Sequence, residues 1–550
     1  MISTTWNWLW EKHDQLKDSF RFFVKPTEAI KKKSKEPDVT KSGYGGDDNN
    51  GSGRPYTNAQ LTGLILGPLF FILIQLFFSP EGLSSEGVAI LASTIWIATW
   101  WVTEAIPIPA TSMLPLVLFP LSGGLEMGDT ASAYGNSTIF LFLGGFVLAL
   151  AMERWNLHRR IAISIISVMG TKPERIVLSF MVATGFLSMW ISNTATAMMM
   201  VPIGLAITYQ VQDVLKKDPT IDTSEGNFNF GKAIMLGIGY SASIGGMATL
   251  IGTPPNAILA GTARELFDFE ISFAGWMTFG VPFSAVLLLI TWFYLAKIAY
   301  PTKLDDLPGG QAIFDEEKRK LGKASYEEKA VFVVFVLTAL AWITRSFFLV
   351  KFIPNIDDTV IAIIAAIVLF LIPTKSSTKA THIMDWGAAV KLPWGVLMLF
   401  GGGLAIAAGF TATGLSEWIG SLLNGLEGVH IILIILAVTI LVNALTEVTS
   451  NTATATMMFP IMAGLALAVD VHPIVLMAAA AFSASSAYML PVATPPNAVV
   501  FGSGYLRITD MIKAGFVLNI IGIVLITLTV YFLLPLGLGI DITSFPDSFK

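Results

Sequence analysis

Hydrophobic runs close to the roughly 20 residues a helix needs to cross hydrocarbon recur along this chain. The clearest occupy 61–79, 86–102, 275–296, 329–344, 359–373 and 514–535. Two further pairs of apolar arms, 176–191 with 195–208 and 431–448 with 453–469, are shorter, and a small polar insert splits each pair. The insert is duplicated. SNTATAMMMVPI at 192–203 reappears as SNTATATMMFPI at 450–461, identical at ten of twelve aligned positions. Arms this short suit re-entrant helical hairpins with SNT at their tips.

A second pair of motifs follows the first, GTPPNAILAG at 252–261 and ATPPNAVVFG at 493–502. At an offset of 258 the halves also align Gly144 and Gly145 with Gly402 and Gly403, Leu157 with Leu415, Ser188 with Thr446 and Pro202 with Pro460. The second motifs are offset by 241, so the first half holds 17 extra residues, and the polar stretch 210–231 is their natural place. Charge then orients the halves. Arg154, Arg159, Arg160, Lys172 and Arg175 lead to the first SNT and Lys216 and Lys217 follow it, whereas no Lys or Arg lies between Lys391 and Arg507. Short cytoplasmic loops are enriched in Lys and Arg, so the first insert is approached from inside and the second from outside. Matching breaks in two oppositely oriented halves are the sequence mark of an inverted-repeat transporter.

The pattern predicts an all-α polytopic membrane protein with about 11 transmembrane helices, an inverted repeat, two re-entrant hairpins and two broken helices. The expected divisions are a mostly disordered cytoplasmic tail (1–55), a first transmembrane helix outside the repeat (56–80) and a first repeat (81–300). A charged cytoplasmic connector (301–328), a second repeat (329–540) and an extracellular C-terminal tail (541–550) follow. Multi-pass insertion in the cell membrane is implied.

Composition agrees with this reading. The chain is 54% hydrophobic and only 13% charged, with a mean hydropathy of +0.67, too little charge to cover a soluble protein of this length. A net charge of −5 and the lack of any basic, aromatic-interleaved patch give no support for a nucleic-acid partner. With no cysteine, disulfides, thiolate metal sites and cysteine nucleophiles are excluded. His13, His158, His382, His430 and His472 are scattered without ligand spacing.

The inserts carry the chemistry. Ser, Asn and Thr cap helix N-termini, so helices are predicted to start near Thr194 and Thr452 and to present free N–H groups and a partial positive charge to an anion. In TPPN the prolines fit a first helical turn and disfavour helix before it, so the helices reaching Ile251 and Val492 are predicted to break and restart after the prolines. Carbonyls freed at the breaks, with an Asn oxygen, are hard ligands suited to Na⁺. One cation site per half is expected: Ser188, Ser192, Asn193 and Gly252, then Thr446, Thr449, Asn451 and Ala493. The anion is expected between them, on Asn193, Thr194, Thr253, Asn451, Thr452, Thr494 and Pro495. Glu104 and Glu447 are read as structural or supporting acids, because a carboxylate beside an anionic cargo repels it. Arg154, Arg159 and Arg160 are read as an interfacial anchor, and the glycines of LFLGGF and LFGGGL as sites of close helix packing. No Lys or Arg falls inside either motif pair, leaving helix ends and cations to neutralise a bound anion.

Paired SNT motifs, each followed by a TPPN-type break, resemble those of the divalent-anion:sodium symporter family, over about residues 57–540. The chain is most similar to the sodium/dicarboxylate symporters of Gram-positive bacteria. That resemblance implies a homodimer, a fixed scaffold and a mobile transport domain moving as an elevator, and C4-dicarboxylates such as succinate, fumarate and malate as cargo. The family also contains citrate and sulfate carriers and exchangers, which the motifs do not separate. It places sodium and carboxylate contacts on Ser188, Ser192, Asn193, Thr194 and Gly252, and on Thr446, Ser450, Asn451, Thr452, Ala493 and Pro495. A channel would need a continuous polar pore lining, and an enzyme a nucleophile–base pair or metal cluster; the inserts offer neither.

Overall fold

The computed structural model describes residues 56–549, apart from Thr171, 216–222, Glu225, 302–315, Glu317, 376–380, 423–424 and 426–427. The expected N-terminal tail, Lys216, Lys217 and most of the expected connector lie outside the described residues. Among those described the chain is helical, with one isolated β-bridge between Pro373 and His382.

Local chemistry starts each helix. Helix α1 (Asn58–Phe77) opens with a reciprocal cap in which Thr57 accepts from Gln60 N and Gln60 accepts from Thr57 N. Helix α2 (Ser85–Thr103) is capped by Ser84 and ends at Glu104, which adopts φ 47°. Short helical pieces over 108–122 and 127–135 lead into α3 (Ser137–Arg154) and α4 (Leu157–Val168). The first hairpin is α5 (Pro173–Ser188) and α6 (Asn193–Leu215), joined by residues 189–192. Next come α7 (Asn229–Gly246), α8 (Pro254–Phe267) and α9 (Phe273–Phe293), then α10 (Tyr326–Thr344) and α11 (Asp358–Leu371). The second half runs through α12 (Trp394–Ala412), α13 (Leu415–Leu422), the hairpin α14 (Ile431–Thr446) and α15 (Asn451–Ala468), α16 (Pro473–Ala484), α17 (Pro495–Phe501) and α18 (Ile508–Leu528).

Helices α3–α9 thus recur in order as α12–α18, and the correspondence reaches detail. Both α9 and α18 continue into a π-helical turn, Tyr294–Ala299 and Thr529–Leu533. The halves differ where the sequence inserts residues. Helix α6 continues well beyond the 195–208 arm, and α7 begins only at Asn229, whereas α15 reaches α16 across Val469–His472. Among the described residues eight helices are long and apolar enough to cross a bilayer, α6 and α15 among them. Shorter apolar helices cover 108–122, 358–371, 431–446 and 473–484.

Close packing uses glycine where backbones meet. A Cβ on Gly144 of α3 would lie 2.6 Å from the Ala362 backbone of α11, and one on Gly402 of α12 2.5 Å from the Ser112 carbonyl. Two basic residues of α3 and α4 form ion pairs with other parts of the chain: Arg154 with Asp385 at 2.6 Å and Arg160 with Glu328 at 2.6 Å. The C-terminal segment is docked rather than trailing. Phe549 stacks on Phe267 at 5.0 Å and meets His472 at 5.4 Å, and Phe545 N donates to Asp470 Oδ1.

Arg345, at the end of α10, is 8% exposed and joins three elements. It contacts Glu270 at 2.6 Å and lies 2.7 Å from Asp358 Oδ1, an ionic contact without hydrogen-bond alignment. Asp358 Oδ2 in turn accepts from Phe273 N at 2.7 Å. Removing one member of a buried pair strands the other charge. Arg345→Ala is therefore expected to cost about 3–5 kcal/mol and to lower the unfolding midpoint in detergent by several degrees. A midpoint within a degree of the parent would refute the role.

Candidate functional site

The hairpin tips and the broken helices meet. Helix α5 packs along α7, and α14 packs along α16, so each tip faces the point where its partner helix stops. The helix starts fall one residue earlier than the sequence suggests, at Asn193 and Asn451, which makes Ser192 and Ser450 the cap residues. Ser192 Oγ accepts from Ala195 N at 3.2 Å. The breaks are also earlier and wider. Helix α7 ends at Gly246 rather than Ile251, and α16 at Ala484 rather than Val492. The helices resume at Pro254 and Pro495, so the prolines lie in the first turn, as their geometry predicts, and the restart falls at them and not after them. Their missing N–H groups fall where a helix has no acceptor to offer.

In the first half four oxygen-bearing groups converge. Ser188 Oγ lies 2.6 Å from Asn193 Oδ1 and 2.6 Å from the Ala242 carbonyl. The same corner of the Asn193 amide is 3.0 Å from Ala242 O and 3.2 Å from Gly252 O. Rotating that amide by half a turn puts its nitrogen there, donating to all three oxygens; in the other orientation oxygens face oxygens. Oxygens so arranged are stable around a cation, and the turned amide satisfies them without one. A Cβ on Gly246 would lie 2.5 Å from Asn193 Oδ1, so only glycine admits the amide here.

The second half repeats the pattern. Thr446 Oγ1 lies 2.8 Å from Asn451 Oδ1 and 2.7 Å from the Ala484 carbonyl. Ala493 is buried beside the restart of α17. Thr449 does not join the cluster: its hydroxyl bonds the Leu445 carbonyl and Thr454 Oγ1. That hydroxyl thus returns to the carbonyl four residues earlier, near the end of α14.

The expected anion contacts sit at the helix starts. Thr253 and Thr494 are buried caps of α8 and α17, and Thr494 Oγ1 accepts from Asn497 N at 3.3 Å. Thr194 and Thr452 lie half-buried in the first turns of α6 and α15, while Pro495 is exposed. The two halves interlock here. Helix α17 packs against α6 and α7, α8 packs against α15 and α16, and Ser486 Oγ lies 3.6 Å from Met247 Sδ. Glu104 is exposed at the end of α2 and takes no part.

Over residues 58–538 the chain matches the family model described as the sodium:sulfate symporter transmembrane region. It is 52% identical over 498 residues to the sodium-dependent dicarboxylate transporter SdcS of Staphylococcus saprophyticus subsp. saprophyticus, covering 90% of this chain and 95% of the relative. It is 54% identical over 493 residues to the protein of the same name from Staphylococcus aureus strain USA300, covering 89% and 94%. The chain belongs to this symporter family. These relatives are transporters and not enzymes, in keeping with the SNT and TPPN resemblance. In fold the chain is also like the Alcanivorax borkumensis YdaH transporter, with a TM-score of 0.52 at 13% identity over 83% of this chain and 99% of that one.

Two residues that the motifs contain were not singled out from sequence. Asn256, the asparagine of the first TPPN, donates to Gly246 O (3.3 Å), Met247 O (3.3 Å) and Thr249 O (2.8 Å). Asn497 donates to Ala487 O and Leu490 O, both at 3.1 Å. Each pins its break by donating to carbonyls at and beyond the end of the stopped helix. Their duplication was the available signal. The Ala242 and Ala484 carbonyls had none, because a backbone oxygen leaves no mark on residue identity.

Proposed function

We propose that this protein is a secondary active transporter that imports C4-dicarboxylates such as succinate, fumarate and malate, coupled to the Na⁺ gradient. The observation carrying the proposal is the repeated oxygen cluster, Ser188–Asn193–Gly252 and Thr446–Asn451 with Ala493 nearby, at the tips of two hairpins. The names of the Staphylococcus relatives support the cargo. Each cluster holds one Na⁺, with Ser192 and Ser450 at the adjoining helix caps. The anion lies between them against Asn193, Thr194, Thr253, Asn451, Thr452, Thr494 and Pro495, facing helix N-termini. In an elevator motion the hairpins and broken helices carry the cargo past a scaffold that dimerises with a second copy. A sulfate carrier is the second reading, favoured by the description of the matching family model.

The test is uptake of labelled succinate into proteoliposomes. Saturable uptake driven by an inward Na⁺ gradient, without internal dicarboxylate, is the expected result. Uptake that needs internal dicarboxylate but no Na⁺ gradient would make the protein an exchanger, and inhibition by sulfate but not by malate would make it a sulfate carrier.

The proposed topology has eleven spans, with residues 81–300 and 329–540 as oppositely oriented repeats and the C-terminus outside the cell membrane. Lys172 and Val429 are exposed residues preceding equivalent helices, α5 and α14. In this cysteine-free chain, Lys172→Cys should react with an impermeant maleimide only from the cytoplasmic side, and Val429→Cys only from outside. Labelling of both from one side would remove the inverted repeat.

A further inference from the structure

The two breaks are pinned by different chemistry. In the first half the pinning groups are neutral. Asn256 holds three carbonyls, Trp276 Nε1 donates to Met247 O at 3.0 Å, and Thr249 Oγ1 donates to Met189 O at 2.5 Å and accepts from Gly252 N. In the second half the position equivalent to Met189, at the offset of 258, is Glu447. Its side chain is 2% exposed and caps the opened backbone after α16. Oε1 accepts from Tyr488 N (2.8 Å), Met489 N (3.0 Å) and Asn519 Nδ2 (2.7 Å), and Oε2 from Met489 N (3.2 Å) and Leu490 N (3.3 Å).

Both oxygens accept and neither donates, which is the bonding pattern of an ionised carboxylate. All these partners are uncharged, so peptide and amide dipoles stabilise the charge without cancelling it. A buried net negative charge at membrane depth is costly unless a cation lies near. The residue before it in the chain, Thr446, belongs to the second oxygen cluster, and the loop it caps runs on to Ala493. The first cluster has no such neighbour, its equivalent side chain being a thioether.

We infer that Glu447 makes the two cation positions unequal, so that the second-half position around Thr446 and Asn451 binds Na⁺ more tightly and fills first. The inference rests on the Na⁺-coupled reading above and adds to it an order of loading within the pair. Glu447 is a positioning and charge-setting residue, not a ligand: its oxygens are already committed to five backbone and amide contacts. It acts on the cation through the field of a fixed charge and through the loop that it holds.

The experiment follows the unfolding midpoint of the full chain in detergent against Na⁺, with choline keeping ionic strength constant and no dicarboxylate present. A bound cation stabilises in proportion to the logarithm of its saturation, so two unequal sites give two steps. The parent protein is expected to show both. Glu447→Gln, which keeps the shape but not the charge, should move the low-Na⁺ step to about tenfold higher Na⁺ or beyond, the worth of one nearby unit charge at low effective dielectric. The high-Na⁺ step should stay in place. Glu447→Asp, which keeps the charge on a shorter arm, should leave the low step within a few-fold of the parent.

A purely structural role would reverse that order, with Gln tolerated and Asp not, and would overturn the inference. So would a single step in the parent protein, or equal shifts of both steps. Should Glu447→Gln fail to fold, Thr446→Ala and Ser188→Ala carry the test: the first must abolish the low step and the second the high one, and the opposite assignment is fatal. Loss of all Na⁺ stabilisation in the parent, together with Na⁺-independent uptake, would instead bring down the Na⁺-coupled reading itself.

Discussion

Asn193→Ala and Asn451→Ala are each expected to reduce Na⁺-driven succinate uptake to near background. Each asparagine begins a helix at a hairpin tip and turns one amide corner toward a serine or threonine hydroxyl, Ser188 at 2.6 Å and Thr446 at 2.8 Å. In the proposed mechanism that corner offers its oxygen to the cation. Loss of one buried charge-assisted contact costs about 1.5–3 kcal/mol, or roughly ten- to hundredfold in affinity. The loss is compounded where cation and anion share the residue. Uptake by purified protein, measured at limiting and saturating Na⁺, decides the matter. Saturating Na⁺ should rescue little, because the anion loses its contact too, and near-normal rates in both variants would rule out the site.

Dicarboxylate binding is expected to collapse when Na⁺ is replaced by choline, by a hundredfold or more in affinity. Neither motif pair contains Lys or Arg, so a dianion held by these segments finds no basic side chain on them. It meets helix N-termini worth roughly half a charge each. Two bound Na⁺ change the pocket from weakly to strongly attractive, so cations load first. Coupling is reciprocal, and dicarboxylate must tighten Na⁺ by the factor by which Na⁺ tightens dicarboxylate. Uptake should be sigmoidal in Na⁺ and hyperbolic in succinate. Calorimetric titration of succinate in the two buffers measures the factor directly. Equal affinities would show that the protein alone holds the anion and would end this mechanism.

Much of the architecture was legible because the chain states it twice. Two copies of SNT and TPPN within apolar sequence marked the helix starts to within one residue, Asn193 and Asn451 against Thr194 and Thr452. The family resemblance drawn from those motifs agrees with the match over 58–538. The breaks were less legible. Proline disfavours helix just before it, and that local rule placed the ends at Ile251 and Val492; the helices stop sooner, at Gly246 and Ala484, and the opened backbone is bound by Asn256 and Glu447 respectively. The bond from the Thr449 hydroxyl to the Leu445 carbonyl was not legible either, because it depends on how the tip turns after α14.

The sequence by itself determined the class of molecule: an apolar, duplicated, cysteine-free chain whose polar inserts recur at fixed offsets. Periodicity, capping and proline geometry are local, acting within a few residues, so they are written in the residues themselves. Which groups converge was decided only by tertiary structure. The carbonyls of Ala242 and Ala484 and the backbone N–H groups of 488–490 are carried by every residue type, and become special only when a neighbouring helix stops beside them. Glu447 shows the same division: its presence at the edge of an apolar run was visible, but its partners come from 41 to 72 residues away in the chain, brought together by the fold.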